Sequence, residues 1–327
     1  MTKNNMINTA VKLLQQGECV AIPTETVYGL AADASNPTAI KKIFKLKGRP
    51  INHPLILHIS NLKELHDWVE NISDTAQKLM KAFWPGPMTL VFAVKKNKLK
   101  SKTIKIITGG QNTIAIRMPS HPIARKLLKS FGGPLVAPSA NKFGHVSPTN
   151  MEHVKSEFGN KLKLILDGGS STLGIESSII DITTSPARLL RPGPLSISKI
   201  KKISGINIIK NKSTKSPRVS GSMKSHYAPK TPVKLFIKNI KSKNSKSRNN
   251  NIAIMGITST RAINTQNNLF VKMPNDPVGY AQILYAVLRE LDAMKFDVIY
   301  IETPPNKPEW LAVRDRVMRA ASHVLSS

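Results

Sequence analysis

The chain reads as an α/β protein in two unequal domains, the larger built on a twisted sheet of mixed strand direction. Two observations predict this. Segments with apolar residues at helical spacing alternate with many short apolar runs over the first two hundred residues. The pattern then fades in a Ser-, Lys-, Pro- and Gly-rich stretch and returns beyond it. The boundaries that follow are a large domain over 1–203, a linker over 204–231 and a small α/β domain over 232–327. A chain of 327 residues is long enough for both cores.

Ile7, Ala10, Val11 and Leu14 place a helix over 7–16. The apolar run 19–22 is a buried strand that Pro23 stops. Asn36 before Pro37 is an N-cap followed by a proline at the first helical position, which opens a helix through Ile40, Ile43 and Phe44. A strand at 55–59 precedes helices at 61–69 and 74–82. A strand at 88–94 follows the turn Trp84-Pro85-Gly86-Pro87. Further strands are expected at 113–117, 135–137, 164–166, 178–182 and 187–190, with a helix over 121–129. In the last third, strands at 233–237, 252–255 and 298–301 surround a helix over 279–294, where Ile283, Leu284, Val287, Leu288 and Leu291 share a face. Trp310, Val313, Val317, Ala320 and Val324 mark a final helix. The polar segment 238–251 reads as a mobile insertion.

Composition excludes several classes. One cysteine, Cys19, rules out an internal disulfide and a cysteine-based zinc site, and reads as a small buried residue. Gln15, Gln16, Gly17 and Glu18 interrupt the apolar core a signal peptide needs, and no run approaches the roughly 20 apolar residues of a membrane span. The expectation is a cytoplasmic protein without a membrane partner. A net charge of +30 invites a nucleic-acid reading. Of 49 cations, however, only 12 are arginines, and the 37 lysines recur beside Asn, Ile and Ser in low-complexity runs. Charge alone does not settle function.

Among chemical motifs, the common phosphate cradles, the zincin helix and the serine elbow are all missing. What remains is a set of loops that each adjoin a predicted strand. Thr24, Thr26 and Tyr28 follow the first strand. Lys47, Arg49 and His53 crowd the entrance of the next, and His58 lies within it. Thr113 and Arg117 flank a third, Ser139 and Asn141 follow a fourth and lead to Ser147, Glu176 and Ser177 open a fifth, and Arg191 closes a sixth. Ligands of open α/β sheets collect where loops leave strand ends. Arginine forks and lysine point charges suit carboxylate or phosphate, while hydroxyls and an amide fix orientation. Singly, each has a plainer reading: His58 as a satisfied core histidine, Arg117 and Arg191 as surface ion pairs, Ser139-Ala140-Asn141 as a turn.

Read together, Pro23-Thr24-Glu25-Thr26-Val27-Tyr28-Gly29-Leu30, Lys45-Leu46-Lys47-Gly48-Arg49-Pro50, His53-Pro54-Leu55-Ile56 and Pro138-Ser139-Ala140-Asn141 resemble the YrdC-like family in order and spacing. Gly174-Ile175-Glu176-Ser177-Ser178, Leu190-Arg191-Pro192-Gly193, the 222–229 segment and Asp315-Arg316-Val317-Met318-Arg319 extend the resemblance to the two-domain threonylcarbamoyl-AMP synthases. Ser177-Ser178 stands where a Ser-Thr pair is usual, and 238–251 has no family counterpart.

The resemblance implies a YrdC-like mixed-sheet domain and a Rossmann-like C-terminal domain. It implies a nucleotidyltransferase that converts L-threonine, bicarbonate or CO2, and ATP into threonylcarbamoyl-AMP and pyrophosphate, the first step of threonylcarbamoyladenosine formation in tRNA. By carry-over, Lys47 and Arg49 serve catalysis. Thr26, His58, Arg117, the Ala137 backbone and Ser177 hold threonine. Arg49, His53, Thr113, Ser139, Asn141, Ser147, Arg191 and Tyr227 hold ATP. Mg2+ is expected on the phosphates and no metal site on the protein. A downstream tRNA-modifying transferase complex is the implied partner, with a weak RNA contact from the basic surface. Residues Ser222 to Tyr227 are expected to fold over the site. Threonine and serine share the same amine and carboxylate, so the preference stays open. The rival reading is a non-catalytic protein that binds structured RNA, although aromatic residues are only 5%. A carbamoyl-transfer module is a further rival, without its expected accessory segments here.

Overall fold

A computed structural model describes residues 3–211, 216–221, 227–237, 251–258, 268–321 and 323–324. The chain divides into two compact units, 1–143 with 147–222, and 144–146 with 223–327.

The first unit begins with helix α1 (Lys3–Gln15), strands β1 (Val20–Ile22) and β2 (Gly29–Asp33), helix α2 (Pro37–Lys47) and strand β3 (Ile56–His58). Helix α3 (Asp74–Phe83), strand β4 (Met88–Ala93), helix α4 (Lys102–Thr108), strand β5 (Thr113–Arg117), helix α5 (Pro122–Phe131) and strand β6 (Leu135–Val136) follow. Helix α6 (Met151–Phe158), strands β7 (Ser178–Asp181) and β8 (Ala187–Arg191), helix α7 (Ile197–Ser204) and strand β9 (Ile208–Lys210) complete the unit. Its nine strands run β1-β2-β6-β3-β5-β4-β7-β8-β9 in parallel and antiparallel pairs, the mixed sheet that the sequence predicts.

Local chemistry explains the boundaries. Asn36 accepts from the N–H groups of Thr38 and Ala39 and Pro37 opens α2, while Gly48 ends it at φ +62°, a conformation only glycine adopts without cost. Ile7, Ala10 and Leu14 of α1 pack with Ala124, Leu127 and Leu128 of α5 over Val20 and Ile22, forming the core behind β1. Cys19 is buried facing α2, its Sγ 3.9 Å from the Ala39 carbonyl, and burial pushes its thiol up to about 12.

Several expectations change. The 61–69 helix is a 3-10 turn, Leu62–Asp67, capped by Asn61. No strand forms at 164–166. There, Ile165 makes a single bridge to Ala21, because hydrogen bonds to Ala21 satisfy only Leu164 and Leu166. β2, α4, α6, α7 and, in the second unit, the strand Asn268–Lys272 are not among the expected elements. β9 lies within 204–231, where composition reads as linker; Ile208 buries against the sheet edge while Ile209 stays exposed.

The second unit carries strands β10 (Val233–Phe236), β11 (Ile252–Gly256) and β12 (Asn268–Lys272), helix α8 (Pro277–Ala293), strand β13 (Val298–Glu302), helix α9 (Leu311–Ala320) and strand β14 (His323–Val324). Its sheet is parallel throughout, ordered β12-β11-β13-β10-β14. Tyr280 of α8 meets Trp310 edge-on at 5.7 Å; of the face predicted for that helix, Leu284, Val287, Leu288 and Leu291 are buried and Ile283 is half-buried. Val324, read as helical, lies in β14. The 238–251 insertion lies outside the described residues except for Asn251.

Candidate active site

Helix α2 delivers the first cation. Lys47 is its last residue, and its Nζ donates to the carbonyls of Ser139 at 2.6 Å and Asn141 at 2.5 Å. Phe143 N–H donates back to the Lys47 carbonyl at 2.7 Å, so the 139–143 loop is stitched to the end of the helix. Burial pushes the Lys47 ammonium well below a lysine's ordinary value, and the neighbouring Arg49 charge pushes the same way. Arg49 turns off past Gly48, donates to the Pro54 carbonyl at 2.9 Å and lies 5.7 Å from the Phe143 ring centre. His53 meets the same ring edge-on at 5.2 Å, and burial followed by the Arg49 charge lowers its pKa. Lys47, Arg49 and His53 thus share one corner with Ser139 and Asn141, some ninety residues further on.

The hydroxyl loop forms a second wall. Thr24 donates to the Val27 carbonyl at 2.5 Å and accepts from the N–H groups of Thr26 and Val27. With its own proton committed, Thr24 must accept from Thr26 across their 2.8 Å contact. Thr26 in turn accepts from Arg117 Nη1 at 2.8 Å. Arg117 also donates Nε to Gly86 O and holds Glu25 at 2.6 Å from Nη2, with both side chains buried. Burial alone would raise the Glu25 carboxyl, but the Arg117 charge and hydrogen bonds outweigh it and hold it below the ordinary carboxylate range.

Strand register supplies what spacing could not. His58 is paired with Arg117, Arg117 with Thr89, Thr89 with Ile179, and Ile179 with Arg191. Residues directly opposite share a sheet face, so His58, Arg117, Thr89 and Arg191 form one transverse row across β3, β5, β4, β7 and β8. His58 Nδ1 lies 3.1 Å from the Ile56 carbonyl, which can only accept; the ring proton therefore sits on Nδ1 and Nε2 keeps its lone pair. Burial, then the Arg117 charge, lowers the His58 pKa to about 3 and keeps the ring neutral. Two residues along the same face, Ile56, Val91 and Ala115 form an apolar patch on which Val219 sits. A small cavity beneath residues 218–220 is lined by these side chains and by Thr113.

Some predicted residues already have partners within the protein. Arg191 donates Nε and Nη2 to Ser177 O, Nη2 to Ser177 Oγ, and Nη1 to Ser220 O. Ser147 donates to the buried Glu176 carboxylate at 2.6 Å. The Ala137 N–H is taken by Ile56 O, so a ligand would meet its carbonyl. Tyr227 belongs to the second unit, 1% exposed, with Tyr285 at 5.7 Å and the Arg316 guanidinium 5.1 Å from its ring. The rest of the expected cover, 222–226, lies outside the described residues. Glu25, though inside a quoted motif, and Thr89 were not singled out as site residues. Neither has a local sequence signal, because what brings them in is an ion pair and a strand register.

These features define a mixed α/β unit with His58, Arg117, Thr89 and Arg191 in one row on a sheet face and Lys47 and Arg49 at the corner of the 139–143 loop. Residues 12–193 match the Sua5/YciO/YrdC family, described as "Telomere recombination", and residues 195–322 match "Threonylcarbamoyl-AMP synthase, C-terminal domain". The chain is 36% identical over 329 residues to the threonylcarbamoyl-AMP synthase of Pyrococcus abyssi, covering 97% of this chain and 94% of that one. It is equally identical to the Bacillus subtilis threonylcarbamoyl-AMP synthase, over 98% and 94%. The crystal structure of P. abyssi Sua5 complexed with L-threonine superposes with a TM-score of 0.87 at 35% identity, covering 99% of this chain and 96% of that one. The chain belongs to the two-domain Sua5/YrdC family of threonylcarbamoyl-AMP synthases. Among the described residues no helix is long and apolar enough to cross a membrane.

Proposed function

We propose that this chain makes threonylcarbamoyl-AMP from L-threonine, bicarbonate or CO2, and ATP, in the cytoplasm, for transfer to tRNA by a downstream complex. The observation that carries the reading is the buried row that sets His58 opposite Arg117, a donor fork suited to a carboxylate, together with a corner where Lys47 and Arg49 offer donors suited to phosphate. Threonine seats its carboxylate on the N–H groups Arg117 has left over and its amino group near His58 Nε2 and Thr26, which can only accept. The ammonium loses one proton to solvent, the free amine attacks CO2, and a second proton leaves the nitrogen as the carbamate forms. A carbamate oxygen then attacks the α-phosphorus, the α–β phosphoanhydride bond breaks, and pyrophosphate leaves with the electron pair. No protein nucleophile is needed. The protein's work is to bring two anions together and stabilise charge on the transferring group.

Lys47 and Arg49 face that charge. An arriving phosphate favours the charged form of Lys47 and counters the burial that disfavours it. His53, Thr113, Ser139, Asn141 and Ser147 line the nucleotide side, while Arg191 acts through Ser177. Magnesium would enter on the nucleotide, which suits a donor set of cations, hydroxyls and carbonyls; no group of three His, Cys, Asp or Glu that could hold a metal occurs among the described residues.

The test is ATP–pyrophosphate exchange that requires both threonine and bicarbonate. Its absence in pure, folded protein would sink the reading. Replacing Arg49 by Ala removes a charge-assisted hydrogen bond worth roughly 1.5–3 kcal/mol, so exchange should fall about tenfold or more with the fold intact. An unfolded variant with normal activity per folded molecule would make Arg49 structural.

A further inference from the structure

Thr89 has no place in the roles assigned so far, yet it stands in the middle of the transverse row. Its β4 position pairs with Arg117 on one side and Ile179 on the other. The side chain is fully buried, and its hydroxyl lies 2.7 Å from Ser177 Oγ, its hydrogen-bond partner among the described residues. Ser177 Oγ already accepts from Arg191 Nη2, since a guanidinium only donates. Two hydroxyl protons therefore meet in one contact, and only one can be used inside it. A buried hydroxyl proton left without an acceptor is costly. Thr89 sits deep in the sheet, whereas Ser177 lies on the loop just before β7, beside the threonine-side residues.

We propose that Thr89 is a positioning residue: it donates to Ser177, so that Ser177 accepts twice and turns its own O–H toward the amino-acid substrate. Arg191 fixes the Ser177 backbone and Oγ from the opposite side. The acceptor that fits is an oxygen of the substrate's carboxylate or of the carbamate formed from its amine. This inference rests on reading Ser177 as a threonine ligand.

The experiment uses the full-length chain and threonine- and bicarbonate-dependent ATP–pyrophosphate exchange, with thermal unfolding as a check on the fold. Thr89→Val keeps the shape and removes the hydroxyl, so the KM for threonine should rise about three- to tenfold while the KM for ATP stays within twofold. Thr89→Ser, which restores the donor, should recover the wild-type value. Ser177→Ala should raise the threonine KM at least as much, and adding Thr89→Val to it should cost little more. If Thr89→Val does not fold, Thr89→Ala carries the same expectation. Equal rises in both KM values, failure of Thr89→Ser to rescue, or a normal threonine KM in Thr89→Val beside a raised one in Ser177→Ala would overturn the proposal. A normal threonine KM in Ser177→Ala would overturn the reading of Ser177 itself, and the proposal with it.

Discussion

Arg117 has five N–H donors, of which one goes to Gly86 O and one to Thr26, while Nη2 lies 2.6 Å from the Glu25 carboxylate as an ion pair. The Glu25 charge matters because both side chains are buried, at 5% and 9% exposure. Breaking such a pair by removing one partner leaves a buried charge uncompensated, so Glu25→Gln should lose about 3–5 kcal/mol in urea unfolding at neutral pH. The Glu25 pKa is lowered in the folded state, so its contribution is complete above the ordinary carboxylate range and fades as pH falls through the lowered value. The gap between wild type and variant should close in acid. His58 works in the same sense, over a wider window, as pH falls. The unfolded chain binds a proton there below about pH 6.5, and the folded chain not until about pH 3. Stability should therefore drop through that window by up to ~1.4 kcal/mol per pH unit on account of this group, and His58→Gln should flatten the profile. An unchanged acid profile would mean that the ring titrates freely in the folded protein.

At the scale of the element, α2 is the lever for the phosphate corner. Its N-terminal end is held by Asn36 and its C-terminal end presents Lys47, with Gly48 turning the chain toward Arg49. The two ends answer to different tests. Asn36→Ala removes two capping bonds far along the helix from Lys47 and should cost about 1 kcal/mol of stability in thermal or urea unfolding, with the KM for ATP unchanged. A large rise in that KM would mean that the cap also sets the Lys47 position. The same helix shows what local patterning can deliver: Asn36-Pro37 fixes its start from sequence alone, and the apolar Ile40, Ile43 and Phe44 bury as their spacing requires. By contrast, 164–166 looks like a strand because it is apolar, yet only one residue makes a bridge. Strand formation depends on a partner that composition does not name.

For the whole molecule, charge is the dominant quantity. Against 49 cations there are 19 carboxylates, and four of these are buried: Glu25, Glu176, Asp181 and Glu302. Each is spent on specific donors. Glu25 holds Arg117, Glu176 accepts from Ser147, Asp181 accepts from Thr183, and Glu302 accepts from the N–H groups of Ile257 and Thr258. Between Asp74 and Glu152 the sequence has no acidic residue at all. A surface of net charge +30 repels itself, so sodium chloride should raise the melting temperature by screening. A flat or falling dependence in differential scanning calorimetry would show that attractive ion pairs outweigh the repulsion.

Sequence by itself determined the α/β class, the division into a large mixed-sheet part and a small α/β part, the loops that carry the cations and hydroxyls, and the family. Those features are local: caps, apolar periods and short motifs whose residues sit side by side in the chain. Tertiary structure alone decided that His58, Arg117, Thr89 and Arg191 share one row, that Arg191 grips Ser177, and that Glu25 is paired with Arg117. A sheet's register depends on which strands pair and where, and a one-residue slip would turn every side chain to the other face. That information is spread over strands far apart in the chain, and no single segment contains it.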